Sequence, residues 1–244
     1  MRLLYRILIA GVTLGLPAFA QFTAIPTPAS AYTGSTTLIP ITQPDCSGTP
    51  APGNPTTLNA LSNGVQTVTF STAMTVNTAG VFPNCGGGWA SWGAPPNTES
   101  ATPRVLDTAS TSLTMTLAVP SGTFGFEVEP ASSCPISFPC PYNITATFFN
   151  GATQLGSISL NVNGNAGAML EAAASATPIT RVTIAAAPGS GGFGIAQLRY
   201  ATATVPPATV PTLTNTALLA LAFFLGAAGL WCRREASRAA GPNA

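Results

Sequence analysis

Leu113-Thr114-Met115-Thr116-Leu117-Ala118-Val119 and, a few residues on, Phe124-Gly125-Phe126-Glu127-Val128-Glu129 decide the fold. In the first run Leu113, Met115, Leu117 and Val119 alternate with Thr114, Thr116 and Ala118. In the second, Phe124, Phe126 and Val128 alternate with Glu127 and Glu129. A period of two places every other side chain on one face of an extended chain, so both runs predict half-buried β-strands and not helices. The pattern recurs at Val68 and Phe70, at Ile144, Ala146 and Phe148, at Ile158, Leu160 and Val162, at Val182 and Ile184, and over residues 193–200. Gly, Asn and Pro turns separate these runs. Asn150-Gly151, directly after Phe148-Phe149, is the clearest hairpin signal, because both residues tolerate the positive φ of a tight turn. Many short strands at close spacing predict an all-β domain over residues 60–203, an antiparallel two-sheet sandwich of jelly-roll type. Residues 21–59, rich in Pro, Thr and Ser, are expected to form an extended lead with one early strand near 32–41.

Composition narrows the chemistry. Of 244 residues 46% are apolar, which argues for a packed core despite 24 Gly and 23 Pro, and charged residues make up only 6%. There is no His and no Lys, and all eight basic residues are Arg, five of them near the chain ends. Between the ends stand Arg104, Arg181 and Arg199 against Asp45, Glu99, Asp107, Glu127, Glu129 and Glu171, a net charge of about −3. Nucleic acid is therefore not an expected partner, since phosphate binding needs clustered positive charge.

The two ends read as addresses. Arg2 and Arg6 precede an apolar run over 7–16, and Ala18-Phe19-Ala20 offers small residues at the positions a signal peptidase reads, so residues 1–20 are expected to be a cleaved signal peptide. At the other end residues 213–231 carry no charge and, at 1.5 Å per residue, reach about 28 Å, enough to cross a bilayer as a helix. Arg233, Arg234 and Arg238 follow at once and are expected on the cytoplasmic side, leaving the domain outside. An oxidising compartment then holds Cys46, Cys85, Cys134 and Cys140, while Cys232 stays reduced. Four cysteines allow three pairings; Cys134 with Cys140, around the proline-rich loop 135–139, and Cys46 with Cys85 is the expected one. With no His and no CxxC spacing, no metal site is expected from these cysteines.

Val210-Pro211-Thr212-Leu213, the apolar run and the arginine cluster together resemble the C-terminal sorting signal of exosortase substrates, in the variant whose motif reads Ile-Pro-Thr-Leu, a relative of the PEP-CTERM signal. The resemblance implies a bacterial surface protein whose residues 204–209 are a linker, 210–238 the sorting signal and 239–244 a tail. It also implies an exosortase-like membrane protease as partner, cutting near the motif. From about Trp89 to Tyr200 the chain is similar to uncharacterised β-sandwich domains carried by such proteins. The segments that carry this are Phe124-Gly125-Phe126-Glu127, residues 144–149, residues 178–184 and Phe193-Gly194-Ile195-Ala196-Gln197-Leu198-Arg199-Tyr200. Related domains commonly have Asp where Ala196 stands, so this chain lacks a carboxylate that would suit a cation there.

Without His or Lys, a Ser or Cys nucleophile lacks its usual base. Glu127 and Glu129 share a strand face and superficially resemble a glycosidase pair, but such pairs normally come from different strands across a cleft. The plainer expectation is that they form the solvent-facing half of the strand. Glu127, Glu129 and Asp107 as a cation site lack any supporting loop motif. Trp89 and Trp92, three apart in the loop Cys85-Gly86-Gly87-Gly88-Trp89-Ala90-Ser91-Trp92-Gly93, admit two readings: a platform on which sugar rings stack, or a plug over the core with each indole N–H satisfied locally, which is the one expected. Asn143-Ile144-Thr145 matches a glycosylation sequon inside a strand, a frequent chance match. The expected function is thus a non-catalytic cell-envelope or extracellular-matrix protein without cofactor. The alternative is a glycan-binding or adhesion module, with exopolysaccharide as partner, and a carboxylate-dependent glycoside hydrolase comes last.

Overall fold

The computed structural model describes residues 22–45, 56–80, 89, 91–132 and 140–203. All lie in the first of two compact units, Met1–Ala203; the second begins at Thr204. The expected signal peptide over residues 1–20, Cys46, Cys85, Cys134, Val210, Pro211, Thr212, Leu213, Arg233, Arg234 and Arg238 lie outside the described residues. Among the described residues no helix is long and apolar enough to cross a membrane.

Among the described residues ten strands and one short helix follow in the order β1 (Phe22–Ile25), α1 (Ser30–Ser35), β2 (Thr37–Leu38), β3 (Thr57–Ser62), β4 (Thr67–Thr78), β5 (Arg104–Thr108), β6 (Ser112–Pro130), β7 (Pro141–Asn150), β8 (Thr153–Asn163), β9 (Met169–Ala186) and β10 (Phe193–Thr202). All pairings among these strands are antiparallel. The two alternating runs that predict separate strands join into one, β6, which carries Pro120 and Ser121 through the middle. Register shifts between Thr116 and Thr123 mark that point, and the partners change across it. Before it β6 lies between β4 and β9; after it, between β10 and β9. Proline lacks a ladder donor, so a long strand tolerates it where pairing is already broken by a bulge. Since β10 also pairs with β5 and β5 with β4, strands β10, β5, β4 and β6 close a ring of hydrogen-bonded neighbours.

Both halves of the sheet feed one core. Val68, Phe70, Met115, Ile144, Phe148, Val182 and Ile184 come from one side of the β6 shift, and Phe124, Phe126, Val128, Phe193 and Ile195 from the other; all are buried together. The Asn150-Gly151 hairpin forms as expected: Asn150 pairs with Thr153 and Gly151 takes φ +56°, joining β7 to β8. The lead segment holds a strand within the expected 32–41 stretch, β2, which pairs with Arg199 and Tyr200 of β10, and departs from the expectation on either side of it. Tyr32 lies in α1, not in a strand, and the Ser35 and Thr36 hydroxyls donate back to the Ala31 and Tyr32 carbonyls at 2.7 Å, closing the helix. Phe22–Ile25 pairs with Ala172–Ser175 of β9, so the lead belongs to the sheet.

Candidate functional site

In the second half of β6 the pleat sends Phe124, Phe126 and Val128 into the core and Gly125, Glu127 and Glu129 to the opposite face. Expecting that face to meet solvent is a mistake: Glu127 and Glu129 are both 0% exposed. Alternation says that two faces differ, not what covers each, and residues distant in sequence cover this one. Across the ladder Glu127 faces Leu170 of β9 and Ala196 of β10, Gly125 faces Ala172, and Glu129 faces Gly194. The floor is thus made of small residues, and aromatic rings settle onto it. A Cβ on Gly194 would lie 3.0 Å from the Trp89 ring, and one on Gly125 would lie 2.6 Å from the Tyr32 hydroxyl. Glycine is required here by close approach.

Trp89 and Trp92 pack edge to face, centroids 6.1 Å apart, and bury against Ala79, Val105, Ala168 and Ala196 at 8% and 2% exposure. The Trp89 indole donates to Glu129 Oε2 at 2.7 Å and the Trp92 indole to Glu127 Oε2 at 2.8 Å. The second oxygens are also used. Glu127 Oε1 accepts from the Glu99 amide at 2.5 Å, and Glu129 Oε1 accepts from the Gly167 amide at 3.3 Å and the Ser91 hydroxyl at 3.4 Å. Burial pushes both carboxyls up to about 7, against the pull of these donors. Each glutamate is therefore a buried acceptor matched to one tryptophan, which places both indoles as a cover over the sheet. No face of Trp92 is presented to a sugar ring in this arrangement.

Around this cover lies a second set of polar contacts that sequence reading misses. Arg199 grips Glu99 with two hydrogen bonds, Nε to Oε1 at 2.7 Å and Nη2 to Oε2 at 2.8 Å, and Nη1 donates to the Thr33 and Thr36 carbonyls at 3.2 Å. A line of contacts therefore runs from α1 through Arg199, Glu99 and Glu127 to Trp92. Beside it opens a cavity of about 440 Å³, bounded by Thr27, Pro28, Pro95, Pro96 and the Arg199–Glu99 pair. Only a Glu followed much later by an Arg marks this pair in the sequence, a signal too common to single out.

The remaining candidates are dispersed. Asp107 on β5 accepts from Asn77 at 2.5 Å, with its carboxyl raised by burial, and Gly194 stands between it and Glu129 in the ladder. Among the described residues no group of three His, Cys, Asp or Glu is placed to hold a metal ion. Ala196 is fully buried directly across from Glu127. Asn143 is exposed and exchanges hydrogen bonds with Ser159 at 2.9 and 3.1 Å. Cys140 is disulfide-bonded, to a partner outside the described residues. Glu171, which faces Phe126 across the ladder, is 0% exposed with neither carboxylate oxygen hydrogen-bonded, and burial drives its carboxyl toward the neutral form.

No protein-family model matches the chain, and no curated protein matches it. Among solved structures, a carbohydrate-binding module in complex with β-1,4-galactotriose overlaps 56% of this chain and 87% of its own, at 14% identity and a TM-score of 0.29, too low an overlap to show a shared fold.

Proposed function

We propose that this chain is a non-catalytic cell-envelope or matrix protein, exported, held by its C-terminal segment and handed to an exosortase-like protease. The sorting-signal pattern of residues 210–238 supports the route. The geometry supports the non-catalytic part through one observation: both strand-borne glutamates that a hydrolase would need are fully buried and engaged by Trp89, Trp92 and backbone amides. Carboxylates so engaged serve the packing of the domain. In the same reading the two halves of the sheet, which share β6 and β9 and enclose one core, are the layers of a jelly-roll sandwich.

Fractionation of bacteria carrying the matching protease tests this reading. The full chain is expected in the envelope fraction, with its domain open to added protease on spheroplasts, and a chain lacking residues 210–238 is expected in the soluble exported fraction. A truncated chain that stays in the envelope, or a full-length domain shielded from protease, would count against it. Export also carries a covalent expectation: non-reducing peptide mapping should link Cys134 to Cys140 and Cys46 to Cys85, and reduction should lower stability by about 2–4 kcal/mol per bridge. Free thiols at Cys46 and Cys85 would contradict it.

A second reading, glycan binding, draws on the cavity beside Arg199, whose prolines and threonine hydroxyls suit a sugar's apolar face and its hydroxyl groups. Retardation of the folded chain in a gel containing polysaccharide, relieved by Arg199→Ala, would favour it.

A further inference from the structure

The edges of the sheet are guarded unequally. β1 is four residues long, β2 is two, and β3 is six with its register broken between Leu58 and Ala60. Short or bulged edges resist pairing with another chain. β8 is different. It runs for eleven residues, and among the described residues it pairs only with β7. From Gly156 to Asn163 its register against β7 is unbroken, the extra residue falling at Leu155. Residues 153–163 contain no Pro, no Lys and no charged residue of any kind, so beyond the bulge at Leu155 neither proline nor charge guards this edge. The whole β7–β8 hairpin, residues 141–163, is uncharged.

Neutrality selects the partner. In a twofold pair each residue meets its own symmetry mate or a near neighbour, so any charge near the axis would meet its like. β8 has none. We propose that the outer edge of β8 is a self-pairing surface, on which two copies of this chain join by antiparallel β8–β8 pairing about Ser159, making one sheet continuous across the dimer. In that register Ser159 faces Ser159 of the second copy, Ser157 faces Asn161, Ile158 faces Leu160 and Gly156 faces Val162. Residues 157, 159 and 161 are exposed, whereas 158 and 160 are half-buried and 162 is buried, so polar meets polar on the outer face and apolar meets apolar on the inner one. The Ser159 hydroxyl is already fixed by Asn143 and Thr145 of β7, each at 2.9 Å, so the central pair forms from an ordered side chain. This surface is independent of the export route.

Sedimentation equilibrium of the full chain in mild detergent, over about two decades of concentration, tests it. The wild-type chain should reach a dimer. Ser159→Lys and Ser159→Glu, each placing like charges opposite one another, should each weaken that dimer about tenfold or more, and an equimolar mixture of the two should recover it. Hydrogen exchange adds a readout that needs no substitution: the alternate amides within residues 156–162 that point away from β7 should gain protection as concentration rises. A chain that stays monomeric throughout would overturn the proposal. So would a dimer that persists unchanged in both charge variants or forms without protecting those amides, because its contact would then lie elsewhere, such as the C-terminal apolar segment.

Discussion

Trp92→Ala is expected to lower the unfolding free energy by about 3–5 kcal/mol, the range for truncating a large aromatic in a core, and Trp89→Ala by a similar amount. Trp92 is the better buried of the two, at 2% exposure. Its removal opens a void over Ala196 and also takes from Glu127 one of the donors that make its burial tolerable. Trp92→Phe separates these contributions by keeping most of the ring while deleting the N–H. It should cost about 1–3 kcal/mol, and more at pH 8 than at pH 5, because the lost donor matters most to the ionised carboxylate. Denaturant unfolding followed by far-ultraviolet circular dichroism measures both. A loss below about 1 kcal/mol for Trp92→Ala would show that the ring is not a structural cover, and a sugar-stacking role would then regain its footing.

Stability should fall as pH rises from 5 to 8, opposite to ordinary acid denaturation. Glu127 and Glu129 have carboxyls raised by burial from 4.5 to about 7. A carboxyl whose folded value lies above its unfolded value contributes fully below pH 4.5 and loses that contribution as pH climbs through 7. The gap corresponds to about 3 kcal/mol for each group by pH 8. Glu171, raised by burial alone, acts in the same direction. Thermal unfolding across this range should show a falling midpoint, and Glu127→Gln or Glu129→Gln should flatten the slope whatever it does to the midpoint itself. A midpoint that climbs from pH 5 to 8 would mean that the indole and amide donors outweigh desolvation.

Much of this domain is legible in its sequence because threonine alternates so regularly with Leu, Met, Ile and Phe. The Leu113–Val119 and Ile144–Phe148 runs locate β6 and β7, and Asn150-Gly151 locates their neighbour's hairpin. Three features escape that reading for physical reasons. Leu170 to Ala174 is alanine-rich, with a helix-former's composition, and is extended only because β1 and β6 hold it on both sides. Pro120 looks like a stop and is instead the point where one strand changes partners. Glu127 and Glu129 look like a wet face, because nothing local announces that Trp89, Trp92 and Tyr32 will cover it. The pairing of each indole with its own glutamate joins residues 35 and 40 positions apart, beyond the reach of any local pattern.

The ring formed by β10, β5, β4 and β6 has a mechanical meaning. β10 ends at Thr202, just before the second unit begins, and carries ladders on both of its edges, to β6 on one side and to β5 and β2 on the other. A pull on the chain from that end therefore loads many hydrogen bonds at once in shear, where an edge strand would unzip one bond at a time. Were the chain held by residues beyond 203, as the proposed route requires, the load would enter where the sheet is hardest to peel.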